Sequence, residues 1–275
     1  MNFGARLEAA LDGRGSLCVG IDPHPALLEQ WGLADDLVSL EKFALTCVEA
    51  FGPVAAVLKP QSAFFERFGS RGIAVLEETV SQARQAGALV LLDVKRGDIG
   101  STMVAYADAY LDPASSLAVD AITVSPYLGV GSLQPAFAAA EAHDAGVFVL
   151  ALTSNPEGPQ VQHATCADGR TVAQTVLDDL AALNAEARPL GSLGVVVGAT
   201  IGESVAELSG LNGPYLVPGI GAQGGTADDV RRIFGSALPA VLPSVSREVL
   251  RAGPTVSALQ AATERAIEQF TFLRG

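Results

Sequence analysis

Eight short apolar runs, rich in Val, Leu and Ile, punctuate the chain, and between them lie longer stretches in which apolar residues recur every three or four positions. Continuous apolar runs of this length suit strands buried on both faces of a parallel sheet, while the three-to-four spacing suits helices that bury one stripe. The predicted strands are LCVGID (17–22), VAAVLK (54–59), ALVLLDVK (88–95), VDAITV (119–124), GVFVLAL (146–152), LGVVVG (193–198), PYLVPG (214–219) and LPAVLPSV (238–245). LVSLEKFALTCVEAF, GIAVLEETVSQARQAG and TVAQTVLDDLAALNAEA carry the helical spacing between them. Eight strand-helix units predict an α/β protein, a (β/α)₈ TIM barrel formed as a single domain over residues 1–275. The rival is an open doubly wound sheet, but GIDPHP follows the first strand where a GxGxxG turn is needed.

In a barrel of this kind the chemistry sits at the C-terminal ends of the strands. Those ends carry Asp22, Lys59, Asp93 with Lys95, Ser125, Thr153, the glycines of PGIGAQGG, and Arg247. Lysines are scarce: Lys42, Lys59 and Lys95 are the only three among 17 basic residues, and two of them fall at predicted strand ends. Asp93 and Lys95, two apart on one strand, share a face that looks into the barrel mouth. Asp98 follows Gly97 and is free to reach outward. Read structurally, these charges are an ion pair closing the barrel top. With Lys59 added they form an alternating array that keeps every member ionised in a poorly solvated site and is able to deliver a proton without metal or cofactor.

A second chemistry is written in PGIGAQGG, where Gly219, Gly221, Gly224 and Gly225 precede TADDV, a helix start with Thr226 as N-cap. Such a turn is either a sharp connection or a nest whose backbone amides approach an anion. Arg247 in PSVSREVL offers a bidentate partner for a phosphate.

Composition narrows the partners. With 49 % hydrophobic and 17 % charged residues over 275 positions, the chain is soluble and globular with material for a large core. Its net charge of −13 argues against a nucleic-acid groove or an anionic membrane and leaves an anionic small molecule, provided positive charge is gathered locally. The charged start MNFGARLEAALDGRG and the lack of any run of about 18 uncharged apolar residues predict a cytoplasmic protein. Cys18, Cys47 and Cys166 show no CxxC spacing and are expected to pack. His24, His143 and His163 lack metal-ligand spacing, and His24 is expected to order its loop. Trp31, Phe64 and Phe65 are expected to pack, and the long segment 153–170 either covers the site or joins a subunit interface.

Asp93-x-Lys95-x-x-Asp98-Ile99, preceded by Lys59 and followed by Thr102, resembles the signature of the orotidine 5′-phosphate decarboxylase family. GIDPHP, LKPQSAFFE, DVKRGDIGST, SPYLG, LTSNPEG and VPGIGAQGG follow along the whole chain in the order of that family's longer subgroup. The resemblance implies loss of CO₂ from carbon 6 of orotidine 5′-phosphate to give uridine 5′-phosphate, the last step of de novo UMP synthesis. It implies that Lys95 protonates that carbon, that Asp93 lies beside the departing carboxylate, and that Lys59 contacts the ribose and anchors Asp93. By the same resemblance Asp22 is expected to take another ribose hydroxyl, Ser125 to read the pyrimidine edge, and Gln223 to bridge phosphate and pyrimidine near Gly224, Gly225 and Arg247. It further implies a homodimer in which Asp98 and Thr102 serve the neighbouring subunit's site, with no metal and no cofactor. Ser246 stands where the family usually has glycine, and Thr226 where it usually has aspartate.

Three other readings compete. A metal-dependent phosphosugar decarboxylase or synthase of the same superfamily needs a carboxylate at the second strand's end to hold Mg²⁺ with Asp93, yet Lys59 stands there. A Schiff-base aldolase needs a neutral lysine, which flanking carboxylates oppose. A silent nucleotide-binding protein has no use for the full charged set.

Overall fold

A computed structural model describes residues 1–201 and 206–274. The apolar runs form eight parallel strands closed into a barrel, each paired with the next and the last with the first. They are β1 (Cys18–Ile21), β2 (Val57–Pro60), β3 (Leu89–Arg96), β4 (Ala121–Val124), β5 (Gly146–Leu152), β6 (Leu193–Val197), β7 (Tyr215–Val217) and β8 (Val241–Val245). Two predicted strands begin three residues later than their apolar runs. At 54–55 the amides of Val54 and Ala55 both bond Phe51 O, at 3.0 and 2.8 Å, so they are spent on leaving the preceding helix. At 238–240 a 3₁₀ turn, Gly235–Ala240, takes the start of the run, and Pro239 there has no amide to give a ladder.

The helical spacing forms helices at Leu37–Phe51, Gly69–Gln85 and Val172–Asn184. Asp36 and Thr171 cap the first and third by accepting the amides of Ser39 and Gln174 at 2.8 and 3.1 Å.

Side-chain alternation divides the core in two. Outward strand residues such as Val19, Leu58, Val90, Leu92, Val147 and Val195 pack under the surrounding helices. Inward residues Cys18, Val57, Leu91, Ala121, Phe148, Val196, Leu216 and Leu242 fill the barrel's lower half. An N-terminal helix, Phe3–Arg14, closes that end by burying Phe3, Leu7 and Leu11 against them. Phe3 meets Phe148 edge-on, with ring centroids 6.0 Å apart. With the bottom sealed and packed, open space is left at the C-terminal mouth.

Candidate active site

The mouth holds a cavity of about 260 Å³. Its floor is Leu150, Val196 and Leu216; Asp22, Lys59, Asp93, Lys95 and Thr123 stand on one side, and Gly219, Gln223, Ser246 and Arg247 on the other. Alternation explains the first group, since Asp22, Lys59, Asp93 and Thr123 each lie two residues beyond an inward core residue or its equivalent along the strand.

Asp93 is the hub. Its Oδ2 lies 3.2 Å from Lys59 Nζ, and its Oδ1 lies 2.5 Å from Lys95 Nζ while accepting the Thr123 hydroxyl at 2.8 Å. Burial pushes the Asp93 carboxyl up, but Lys59 and Lys95 outweigh it and hold the group far below the usual carboxylate range. Burial pulls Lys59 down, and the charges of Asp22 and Asp93 prevail and raise it. A depressed carboxylate stabilises the fold above its ordinary pKa and loses that contribution as pH falls through the folded value. A raised ammonium stabilises below its ordinary value and loses it as pH rises through the folded one. Both losses lie far from neutrality, so the pair is fully ionised at pH 7. Lys59 is sealed in at 7 % side-chain exposure, whereas Lys95 at 45 % meets whatever enters the cavity.

Lys95 adopts φ +45°, in the left-handed region, which costs a residue with a side chain about 1–3 kcal/mol. The pairing of β3 with β4 shifts register between Leu92 and Arg96, and Thr123 Oγ1 accepts the amides of both Val94 and Lys95 at 3.0 Å. Thr123 thus fixes both the backbone that aims Lys95 and the carboxylate it faces. Gly97 follows because a Cβ there would fall 2.4 Å from Ser125 O.

Asp22 is buried, and its Oδ1 has no hydrogen-bond partner among the described residues, as is true of Ser246 Oγ. Two unsatisfied polar atoms lining the same cavity are suited to hydroxyl or phosphate groups of a ligand. Gly219 and Gln223 reach the cavity, but Gly224 and Gly225 stand behind it. Their amides bond Gly221 O and Gly219 O at 2.8 and 3.0 Å, so they shape the loop instead of facing an anion. Thr226 caps the helix Ala227–Phe234 as its sequence suggests, in a reciprocal box with Asp229.

Three residues singled out by sequence stand apart from this cavity. Asp98 is half-buried and accepts the amide of Ile99 at 2.8 Å, and Thr102 is exposed on the helix Gly100–Leu111. Ser125 lines an adjoining groove that shares Leu150 and Thr153 with the site. Segment 153–170 forms the other wall of that groove, tied by Gln162 to the amide and hydroxyl of Thr153 at 2.9 and 2.6 Å.

Trp31, Phe65, Cys18 and Cys47 are buried as expected. His24 stacks edge-on against Phe64 at 4.3 Å, and burial lowers its imidazole, with Asp22 opposing and Arg247 adding to the shift. Trp31 donates to Leu250 O at 2.9 Å and packs on Phe43. Cys18 and Cys47 are buried, burial pushing the Cys18 thiol up to about 12. Sequence reasoning missed Thr123, Gln61 and Ser244 in the cavity wall.

Comparison with known proteins agrees with this geometry. The family model described as "Orotidine 5'-phosphate decarboxylase / HUMPS family" matches residues 15–262. The Salinispora tropica orotidine 5′-phosphate decarboxylase is 67 % identical over 97 % of this chain and 96 % of its own. Its Streptomyces coelicolor counterpart is 62 % identical over 96 % and 95 %. Among solved structures, a Streptomyces avermitilis protein assigned as an orotidine 5′-phosphate decarboxylase superposes with a TM-score of 0.96 at 61 % identity, covering 99 % of this chain and 95 % of that one. Leishmania donovani OMP decarboxylase superposes with a TM-score of 0.78 at 30 % identity, covering 100 % and 99 %.

Proposed function

This chain belongs to the orotidine 5′-phosphate decarboxylase family, and from that premise we propose how its residues divide the work of converting orotidine 5′-phosphate to uridine 5′-phosphate and CO₂. The activity is that of a carboxy-lyase in pyrimidine biosynthesis. As the bond from carbon 6 to the carboxylate breaks, its electron pair stays on carbon 6, CO₂ departs, and Lys95 delivers a proton from Nζ to that carbon. Before transfer, the ammonium stabilises the charge that develops there. Asp93, fixed by Lys59 and Thr123, borders the departing carboxylate and holds the Lys95 ammonium aimed. Lys59 and Asp22 take ribose hydroxyls, and the unsatisfied Asp22 Oδ1 supports that role. Ser125 reads the pyrimidine edge from the adjoining groove. Arg247 and Gln223 hold the phosphate, with Gly224 and Gly225 setting the loop that carries Gln223. The observation that carries this reading is the Lys59-Asp93-Lys95 array, set in one cavity with an arginine across from it.

The metal-dependent phosphosugar reading of the same superfamily is not favoured: relatives two-thirds identical over nearly the whole chain are decarboxylases of orotidine 5′-phosphate, and a buried, carboxylate-paired Lys59 stands near the C-terminal end of the second strand. An ammonium at that place repels a divalent cation. Turnover of orotidine 5′-phosphate is therefore expected to be undiminished in excess EDTA. Loss of activity on chelation, restored by Mg²⁺, would overturn the assignment of roles.

Arg247 provides a second test. A phosphate gripped several bonds from the reacting carbon supplies binding energy for closing the site around the ring. Arg247→Ala is expected to lower kcat/KM by about 10³-fold, with partial recovery in added guanidinium. A loss under about tenfold, or about 1.4 kcal/mol, with no response to guanidinium removes Arg247 from the phosphate grip.

The working unit on this reading is a homodimer with shared sites. Asp98 and Thr102 lie outside their own cavity, on a surface with exposed Ile99, Val104, Tyr127 and Leu128. The helix bearing Thr102 and Val104 packs beside the turn Val130–Leu133 that follows Tyr127 and Leu128, and a twofold partner is proposed to cover these exposed apolar residues. Three unpaired cysteines, two of them buried, support a cytoplasmic setting.

A further inference from the structure

Alternation along β3 turns Asp93 and Lys95 into the barrel and Val94 and Arg96 out of it. On the outer side a polar network grips Asp93, Val94 and Arg96, on either side of Lys95. Arg96 donates to Glu66 Oε1 at 2.6 Å, to the Tyr110 hydroxyl at 3.2 Å and to Val94 O at 3.3 Å. Its guanidinium also lies 5.7 and 5.9 Å from the ring centroids of Tyr106 and Tyr110. Glu66 accepts the Ser62 hydroxyl at 2.6 Å, and the Ser62 amide donates to Asp93 O at 3.2 Å. The circuit therefore starts at the Asp93 carbonyl and returns to the strand at Val94 and Arg96, spanning the residue whose backbone is left-handed. Arg96 O accepts the Ser125 amide at 2.7 Å, which ties the pyrimidine-edge residue to the same point.

We infer that Arg96, held by Glu66, is a positioning residue that fixes the angle at which Lys95 presents its ammonium to the substrate. Thr123 braces the inner side of the strand end and the Ser62-Glu66-Arg96 circuit braces the outer, so Lys95 keeps a conformation that an unbraced strand would relax. Three acceptors spread around one planar fork suit arginine and cannot be met together by a lysine ammonium. The phosphate grip stands on the ends of β7 and β8, across the cavity, and does not depend on this brace. The inference rests on Lys95 being the proton donor.

The test is steady-state kinetics of Arg96→Gln, Arg96→Lys, Glu66→Gln and the Arg96→Gln/Glu66→Gln pair, beside Lys95→Ala. Arg96→Gln is expected to lower kcat about 30-fold while KM and uridine 5′-phosphate affinity stay within about twofold, because misaim costs rate and not binding. Glu66→Gln is expected to show a smaller loss of the same kind, the pair no more than Arg96→Gln alone, and Arg96→Lys little recovery. If Arg96→Gln does not fold, Glu66→Gln decides: unchanged kcat there overturns the inference. So does a folded Arg96→Gln with kcat within about twofold of wild type, or one in which KM rises as kcat falls. Turnover surviving in Lys95→Ala would instead overturn the donor assignment, a result distinct from an inactive Lys95→Ala beside a fully active Arg96→Gln.

Discussion

Lys95→Ala is expected to abolish decarboxylation, by more than about 10⁴-fold, while uridine 5′-phosphate binds within about threefold of its wild-type affinity. The two readouts separate because the product has no carboxylate and carries its proton already, so nothing in it calls on the ammonium. On the proposed division of roles its phosphate and ribose meet Arg247, Gln223, Lys59 and Asp22, cavity residues that Lys95→Ala leaves in place. Asp93 keeps Lys59 at 3.2 Å and the Thr123 hydroxyl at 2.8 Å, so its charge stays compensated. Single-turnover assays with calorimetric titration of the product measure both quantities. Substantial residual turnover removes Lys95 from the mechanism, and loss of product binding shows that its charge holds the site together.

The second large effect concerns Asp98. Lys95→Ala and Asp98→Ala homodimers are each expected to be nearly inactive, yet mixing them under conditions of subunit exchange is expected to restore about a quarter of wild-type activity. In a hybrid dimer one site collects both defects, while the other combines an intact Lys95 from one chain with an intact Asp98 from its partner. Random exchange makes about half the dimers hybrid, and each hybrid has one good site of two. Native mass measurement verifies exchange. If hybrids form and activity fails to rise, Asp98 acts within its own chain, and the outward turn after Gly97 has another purpose.

The barrel was legible because a parallel strand buried on both faces leaves a continuous apolar run, and eight such runs have few arrangements available. Its edges were less legible where local bonding competes with the ladder, as at Val54 and Ala55 behind the Leu37–Phe51 helix and at Pro239 before β8. The charged half of the site showed itself because Lys59, Asp93 and Lys95 sit where apolar residues belong. Thr123 did not, since threonine is an ordinary strand former and its hydroxyl declares no partner in the sequence. Nor does sequence mark a left-handed lysine, for only a glycine would advertise that backbone. Glycines 224 and 225 misdirect for the converse reason: composition shows that amides are available, and only the fold shows them already bonded to Gly221 and Gly219. Arg96 and Glu66 read as ordinary solvated charges until the helix bearing Tyr106 and Tyr110 closes over them.

The helix Phe3–Arg14 that seals the barrel bottom also bears on the order in which the molecule is made. Its apolar face is matched to inward residues contributed by strands from Cys18 to Leu242, so the first helix synthesised is among the last to find its full seat. The hub Asp93 and the proposed proton donor Lys95 leave the ribosome some 150 residues before Arg247, the residue proposed to grip the phosphate. Until β8 pairs Ser244 with Cys18, β1 remains an open edge and the nascent sheet has an unpaired strand on either side. Long-range closure of this kind is slow and leaves apolar surface uncovered meanwhile. The chain thus acquires its catalytic half early and its shape late, and no length short of β8 completes the ring.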